Sequence, residues 1–434
     1  MKSFKDTIFA LSTASGKSAI AVVRVSGPNA EKTLKKISTR RIFKQNISYK
    51  NTILDKKNKE IDSTITVFYK SPKSYTGEDM FEISLHGSQA VIEKTLNRLG
   101  EFKNHRMAGP GEFTKRAFEN NKLDLTQVEA IADLISAETE EQRKQAINHL
   151  NGAMSKKINK WAKNIKKILA NLEAAIDFVE EEIPKNLIES TKEQIENLIN
   201  EIYKFLDDDG VGEKIRSGFI VSIIGSPNSG KSSFINNIAK RDISIVTNMP
   251  GTTRDVIELY TDFLGFPVKF YDTAGIRNSK NLIEQIGIKK TLTLSSVSDV
   301  NLVFINKLSE IKEYKNIKNK IIIKSKNDIY KGKYKNINHS ISSKTGKGVS
   351  KMLKSISKKI IRKGLGHNEG VSRERHRIIL KKTLYHLEKS KNSVNIDIFA
   401  EEIRLSLREV SKITGKVDIE EILGIIFNDF CIGK

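Results

Sequence analysis

The sequence predicts a multidomain α/β and α chain: an N-terminal α+β domain, a discontinuous helical domain, and a phosphate-loop α/β domain inserted into the helical one. Three observations carry this. Short β-like runs separated by Gly and Pro fill residues 1–118, and helical periodicity takes over from Asp124. The stretch Gly225-Ser226-Pro227-Asn228-Ser229-Gly230-Lys231-Ser232 then directly follows an apolar run and opens a helix. At 434 residues the chain exceeds one comfortable core and should divide into two to four domains.

In residues 1–118, Ala19 to Val25, Ser63 to Tyr69 and Met80 to Leu85 read as strands, and Ala90 to Leu99 as a helix, giving a compact α+β or α/β domain. Leu125, Val128, Ile131, Ala132 and Ile135 then form an apolar helical stripe, which persists in Leu169, Leu172, Ala175 and Ile176. A second helical tract runs from Ser190 to Leu206, and Asp207-Asp208-Asp209-Gly210 breaks it, so the first helical part is expected at 119–216. Phe219 to Ile224, Val268 to Asp272, Asn301 to Ile305, Lys320 to Lys324 and Asn338 to Ser342 alternate with helix-like sequence, as a mostly parallel sheet requires, and place the α/β domain at 217–353. Helical character returns in Arg373 to Lys389, Phe399 to Thr414 and Ile419 to Phe427. Residues 354–434 are therefore either the second half of one helical domain or an independent C-terminal one.

A formal charge of +23, from 75 Lys+Arg against 52 Asp+Glu, favours an anionic partner such as RNA, but lysine is spread through almost every segment and the sum locates no site. Cys431 is the only cysteine, which excludes an intramolecular disulfide and makes a reducing cytoplasm the natural setting. No run approaches 18 apolar residues and the start carries no secretory pattern, so a soluble protein with no membrane partner is expected.

The Gly225 to Ser232 loop is a nucleoside-triphosphate site. Backbone N–H groups from Asn228, Ser229 and Gly230 through Ser233 close around phosphates, Lys231 reaches the β/γ oxygens, and Ser232 offers its hydroxyl to Mg2+. Asp272-Thr273-Ala274-Gly275 ends the next strong strand, where a carboxylate acts on the Mg2+ shell and the Gly275 N–H senses the γ-phosphate. Between them, Gly251-Thr252-Thr253-Arg254-Asp255 supplies Thr253 as the Mg2+-contacting hydroxyl. Guanine reading asks for Asn-Lys-x-Asp; the tract here is Ser325-Lys326-Asn327-Asp328, in which Asp328 keeps the acceptor for the base donors, Lys326 packs over the ring, and Ser325 loses the amide contacts. Ser342-Ser343-Lys344 offers base-facing backbone groups. Ile276 stands where Ras-like switches carry a water-orienting glutamine, so hydrolysis needs another arrangement: a cation held in part by the Asn228 oxygen, and Glu284 positioning water.

Taken together, Arg24-Val25-Ser26-Gly27, Phe81-Glu82-Ile83 with His86-Gly87, Pro110 to Phe118, Asn121 to Leu125, the three nucleotide motifs, Ile286-Gly287 and the terminal Cys431-Ile432-Gly433-Lys434 resemble the MnmE/TrmE family of tRNA-modifying GTPases along the whole chain. The resemblance implies an N-terminal dimerising domain that binds 5-formyltetrahydrofolate or a related one-carbon folate through Arg24, Glu82, Lys122 and Lys434. It also implies a discontinuous helical domain and an inserted Ras-like GTPase domain. Thr247, Asn248, Met249, Pro250, Gly251 and Thr252 then join the GTP loop, with Asn228, Thr247, Met249 and Thr252 organising K+. Glu284 assists catalysis through water, and Cys431 is either a nucleophile or proton-transfer group near the folate or inert packing. The implied function is a potassium-activated GTPase in tRNA wobble-uridine C5 modification, acting as a homodimer with an FAD-containing MnmG/GidA-type flavoprotein. Rival roles are a ribosome-assembly GTPase and a non-catalytic nucleotide-controlled RNA scaffold. Ser325, and Asn306 at a usual aspartate position, depart from the family pattern.

Overall fold

The computed structural model describes residues 4–177, 185–239, 258–272, 293–329, 336–364 and 370–417, with Ile426, Phe430 and Gly433. The chain forms two compact units: residues 1–132 with 411–434, and residues 133–410.

The first unit is built on six strands: β1 (Thr7–Leu11), β2 (Ser18–Ser26), β3 (Ser48–Leu54), β4 (Glu60–Tyr69), β5 (Met80–Gly87) and β6 (His105–Met107), in the order β3-β4-β5-β2-β1-β6. Pairing is antiparallel except between β1 and β6. Strict alternation in β4, which buries Asp62, Thr64, Thr66 and Phe68, marks a sheet with one covered face. Helices α1 (Ala30–Ile37) and α2 (Gln89–Gly100) supply Leu34, Ile37 and Leu99 to a core with Phe9, Val23, Val25, Phe81 and Ile83. Ser88 starts α2 by accepting the Val91 N–H at 3.3 Å. Helix α3 (Glu112–Glu119) carries the buried Arg116, and α4 (Leu125–Ile135) begins where the Asp124 carboxylate accepts the Gln127 N–H at 3.1 Å. The start of α4 packs Val128, Ile131 and Ala132 with Phe118, Ile426 and Phe430 inside the first unit, and Asp133 near its end pairs with Arg216 and Arg373 in the second.

The second unit combines helices with a second sheet. Helices α5 (Glu140–Leu150), α6 (Ala153–Asp177), α7 (Lys185–Leu206) and α8 (Val211–Ser217) precede the sheet. Its strands are β7 (Phe219–Gly225), β8 (Glu258–Phe263), β9 (Phe266–Asp272), β10 (Val300–Ile305), β11 (Lys320–Lys324) and β12 (His339–Ser340), in the order β12-β11-β10-β7-β9-β8. All neighbours are parallel except β8 and β9. Helix α9 (Lys231–Ala239) leaves β7, and α10 (Val349–Gly364) closes the α/β core with Val349, Met352, Ile356 and Ile360. That core therefore continues past the expected end at Leu353, because α10 keeps one apolar stripe along its length. In the expected Asn338 to Ser342 strand, His339 and Ser340 pair with β11 and the Asn338 and Ile341 N–H groups bond to its Ile322 and Lys324 carbonyls, while Ser342 turns away to donate its N–H to Lys347 at 2.9 Å.

Helices α11 (Glu374–Lys391) and α12 (Ile396–Ile413) follow the sheet and pack back on the helices before it. Arg377 of α11 reaches Asp208 at 2.6 Å and Glu213 at 3.0 Å, and Arg404 of α12 reaches Glu173 of α6 at 3.0 Å. The helices on either side of the α/β segment thus form one discontinuous body, and an independent C-terminal helical domain is set aside. The helix expected at Ile419 to Phe427 lies outside the described residues except for Ile426. Among the described residues, no helix is long and apolar enough to cross a membrane.

Candidate nucleotide and folate sites

The phosphate loop leaves the carboxyl end of β7, a central strand flanked by β9 and β10, where open α/β sheets place ligands. Gly225 has φ +152°, and a Cβ there would lie 2.2 Å from the Phe304 carbonyl oxygen, so only glycine lets β10 run this close beneath the loop. Lys231 is 4% exposed and its Nζ donates to the carbonyls of Gly225 at 2.9 Å and Ser226 at 2.8 Å, with Ser229 Oγ at 3.4 Å. Its charge is folded back on the loop, over the place where phosphate oxygens would replace those carbonyls. Ser232 Oγ lies 3.4 Å from Asp272 Oδ2, which brings the two expected Mg2+ groups to one point, a pair of hard oxygen donors of the kind that cation takes. Asn228 sits at φ +58°, and Ser233 is exposed on the first turn of α9.

The two base-reading tracts also meet. Asn327 donates its N–H to the Ile341 carbonyl at 3.0 Å. The Asp328 carboxyl is held below the usual carboxylate range by a hydrogen bond from Ser342, by a backbone N–H, and by the charges of Lys344 and Lys326. Lys326 itself is at φ +56°. Ser325 is 2% exposed and its hydroxyl has no partner among the described residues, as expected where a short side chain replaces a longer amide. Asn237 of α9 donates its amide to the Ser343 carbonyl at 3.1 Å, while its own Oδ1 and the Ser343 hydroxyl are buried with no hydrogen-bond partner among the described residues. Sequence reasoning missed Asn237, which reads as an ordinary polar residue on a helix.

Asn306 does not enter the base tract. Its amide reaches Ser226 Oγ in the phosphate loop at 3.3 Å, its carbonyl accepts Lys324 Nζ, and Glu310 of the 3-10 turn Leu308–Lys312 accepts Ser226 Oγ at 3.1 Å. Burial pushes the Lys324 ammonium below the usual lysine range, against the opposing pull of Glu310. The loop is thereby tied to the end of β10 by Asn306, noticed only as a departure from pattern, and by Glu310 and Lys324, which sequence reasoning did not select.

In the first unit, Arg24 on β2 and Glu82 on β5 are direct cross-strand partners. Arg24 donates from Nε at 2.8 Å and Nη2 at 2.8 Å to the same Glu82 oxygen, and the side chains are 18% and 24% exposed. The guanidinium also lies 5.0 Å from the centre of the Tyr75 ring and 5.6 Å from that of Phe113. Tyr69 donates to the other Glu82 oxygen at 3.4 Å, and burial, with the Glu82 charge next, pushes its phenol above the usual tyrosine range. Lys122 is exposed and donates to the Pro72 carbonyl at 3.1 Å, on the loop that carries Tyr75. A part-buried ion pair between aromatic rings fits a flat, hydrogen-bonding heterocycle with an anionic tail. Tyr69, Tyr75 and Phe113 were not selected from the sequence; only Phe113 lay within a quoted motif.

Thr247, Asn248, Met249, Pro250, Gly251, Thr252, Thr253, Thr273, Ala274, Gly275, Glu284, Cys431 and Lys434 lie outside the described residues. Gly433 is described: its carbonyl accepts Ser12 Oγ at 2.9 Å, and at φ +99° a Cβ would meet the Leu11 carbonyl oxygen at 2.1 Å.

A phosphate loop on a mostly parallel six-stranded sheet, with a paired Ser/Asp at its mouth and a helical body on both sides in sequence, defines a P-loop nucleotide-binding protein of Ras-like topology. The chain belongs to the MnmE/TrmE family: the MnmE helical domain matches residues 125–431, and the GTP-binding protein TrmE N-terminus matches residues 7–122. It is 42% identical to the tRNA modification GTPase MnmE of Pelagibacter ubique and 40% identical to that of Rickettsia akari, covering 99% of this chain and 100% of each relative. Among solved structures, the G domain of the T. maritima FeoB iron transporter matches 33% of this chain and 98% of its own, at 19% identity and a TM-score of 0.25.

Proposed function

We propose that this chain is a GTP hydrolase of tRNA modification that acts at the wobble uridine, in the carboxymethylaminomethyl or aminomethyl branch of C5 chemistry. Family membership along the full length carries the reading, because the relatives that share both the N-terminal and helical parts are tRNA modification GTPases. The domain division proposed is 1–118 for folate binding and dimerisation, 119–216 and 354–434 for the helical body, and 217–353 for the GTPase.

Lys231 offsets phosphate charge, Ser232 and Thr253 would hold Mg2+ with Asp272 acting on its shell, and Asp328 with the Ser342 to Lys344 loop reads the base. Bound Mg2+ supplies charge neutralisation on the phosphates. Asn228, with Thr247, Met249 and Thr252, would hold K+, and Glu284 orients water. Arg24, Glu82, Lys122 and Lys434 bind the one-carbon folate, and Cys431 is either a nucleophile or proton-transfer group near it or inert packing. The partners are a second copy of the chain, an FAD-carrying MnmG/GidA-type flavoprotein and tRNA, in the cytoplasm.

Reconstitution with flavoprotein, tRNA, 5-formyltetrahydrofolate, a small amine donor and GTP, followed by nucleoside analysis, tests the assignment. Modified wobble uridine that requires every component is expected. Unmodified tRNA after multiple rounds of GTP turnover would overturn it and return the ribosome-assembly reading.

A further inference from the structure

The sequence holds no acidic residue between Glu141 and Glu173, yet the interval carries Lys156, Lys157, Lys160, Lys163, Lys166 and Lys167 on the single helix α6. A longer acid-free run lies between Asp328 and Glu369, so what marks α6 is the alignment of its lysines on one face of a single long helix and not the lack of acids alone. At about 100° per residue, Lys156, Lys160, Lys163 and Lys167 fall within about 60° of arc. The buried residues Met154, Ile158, Trp161, Ile165, Ile168 and Leu172 centre on the opposite side of the same helix. All four lysines of the stripe are exposed.

Their neutralisation is sparse. Arg143 and Lys144 on α5 are matched by Glu140 and Glu141 at 2.8 Å each. On α6, Lys160 meets Glu201 at 3.2 Å, and Lys157 lies 4.5 Å from the centre of the Phe205 ring. The side chains of Lys156, Lys163, Lys166 and Lys167 have no hydrogen-bond or ion-pair partner among the described residues. A row in which only Lys160 is paired gives little to folding; its repulsion costs a little helix stability at i,i+4 spacing. Neighbouring members lie about 5–6 Å apart and the row spans about 16 Å.

We propose that this face of α6 is a docking surface for an RNA backbone, seated on the phosphates of an A-form stem. The assignment rests on the tRNA reading above and adds the surface to it. Charge complementarity selects a polyanion with regularly spaced charges. The absence of Arg, Asn, Gln and aromatic side chains from the stripe selects backbone contact over base reading. The surface would set orientation and salt sensitivity while leaving the choice of uridine to other groups.

The test uses the full chain carrying Lys156→Gln, Lys160→Gln, Lys163→Gln and Lys167→Gln together, since glutamine keeps helix propensity. A control removes the same charge from exposed positions elsewhere, Lys56, Lys57, Lys59 and Lys318, each to Gln. Affinity for an unmodified tRNA transcript is measured across a salt series, with GTP turnover and circular dichroism checking the fold. The stripe variant should lose about three units from the slope of log affinity against log salt and bind at least about ten-fold more weakly in low salt. The control should keep the wild-type slope. Equal slopes in stripe variant and wild type would overturn the proposal and leave the face to an acidic protein surface, while tRNA binding by both would leave the functional reading standing. Equal losses in both variants would reduce the effect to net charge and would also sink it. A wild-type chain that binds no tRNA removes the surface, and the functional reading is then judged separately by the nucleoside analysis.

Discussion

Because Arg24 and Glu82 are bonded to each other across β2 and β5, their substitutions should not act independently on folate binding. With both side chains less than a quarter exposed, loss of one partner of this charge-assisted pair strands the other beside Tyr75 and Phe113. Such a loss costs about 1.5–3 kcal/mol, so Arg24→Ala and Glu82→Ala should each weaken 5-formyltetrahydrofolate binding roughly ten- to hundred-fold. Removing the second residue then costs much less, because its partner is already gone. A coupling of about 1 kcal/mol or more is expected from the double-mutant cycle. Calorimetry on the full chain gives the four affinities, and parallel GTP turnover should stay near wild type, since both residues lie in the first compact unit and the phosphate loop in the second. Effects that add within about 0.5 kcal/mol would refute a shared site built on the pair. Wild-type affinity in both single variants and in Lys122→Ala would remove these residues from folate binding altogether.

Lys231→Ala should depress GTP binding or turnover by about 10²-fold or more, whereas Glu284→Ala should lower single-turnover chemistry and spare binding; the reverse split would move Glu284 out of catalysis. At Ser325, where a buried hydroxyl is left unpaired, Ser325→Asn should tighten GTP but not ATP by roughly two- to ten-fold in equilibrium titration, and equal gains for both nucleotides would contradict the base-reading role. Turnover should be faster in K+ than in Na+ at constant ionic strength, and matched rates would remove the ion from the mechanism. Burial raises the Glu112 carboxyl, but hydrogen bonds from Arg106 and the Gly109 N–H, with the charges of Arg106 and Arg116, outweigh it and hold the group below its ordinary 4.5. A depressed folded-state value means stabilisation present above the ordinary range and lost as pH falls through the folded one. The melting midpoint of the first unit should therefore drop on acidification, less steeply in Glu112→Gln; identical acid limbs by circular dichroism would dismiss the clamp.

What the sequence made legible was local chemistry. The phosphate loop needs glycines at fixed positions next to a strand, and β2, β4, β5, β7 and β11 announce themselves by apolar or alternating runs. Long-range pairing was not legible: nothing in the two strings around Arg24 and Glu82 says that 58 residues apart means directly opposite. The same holds for Asn237 and Ser343, whose meeting depends on where α9 and the loop after β12 converge. Asn306 was noticed as a departure from pattern, but its link to Ser226 and Lys324 depends on β10 and β11 lying side by side. β3 was missed because Ser48, Lys50 and Asn51 leave its first half without an apolar run or a clean alternation, and β1 was missed although it is as long as β11.

The contacts of Gly433 with Leu11 and Ser12, of Gly415 with Phe118 and Leu125, and of Thr414 with Leu125 set an order of events during synthesis. Residues up to Ala132 leave the ribosome first, but the pieces that complete their unit begin only at Ser411. At common elongation rates of about 5–20 residues per second, the nascent sheet waits roughly 10–60 s with that flank uncovered. The second unit has all its own residues by Val410 and is free to fold before the first is finished. The unit that begins translation is thus the one that must tolerate delay, and a chaperone or a slowed codon near that gap would act on it before any nucleotide does.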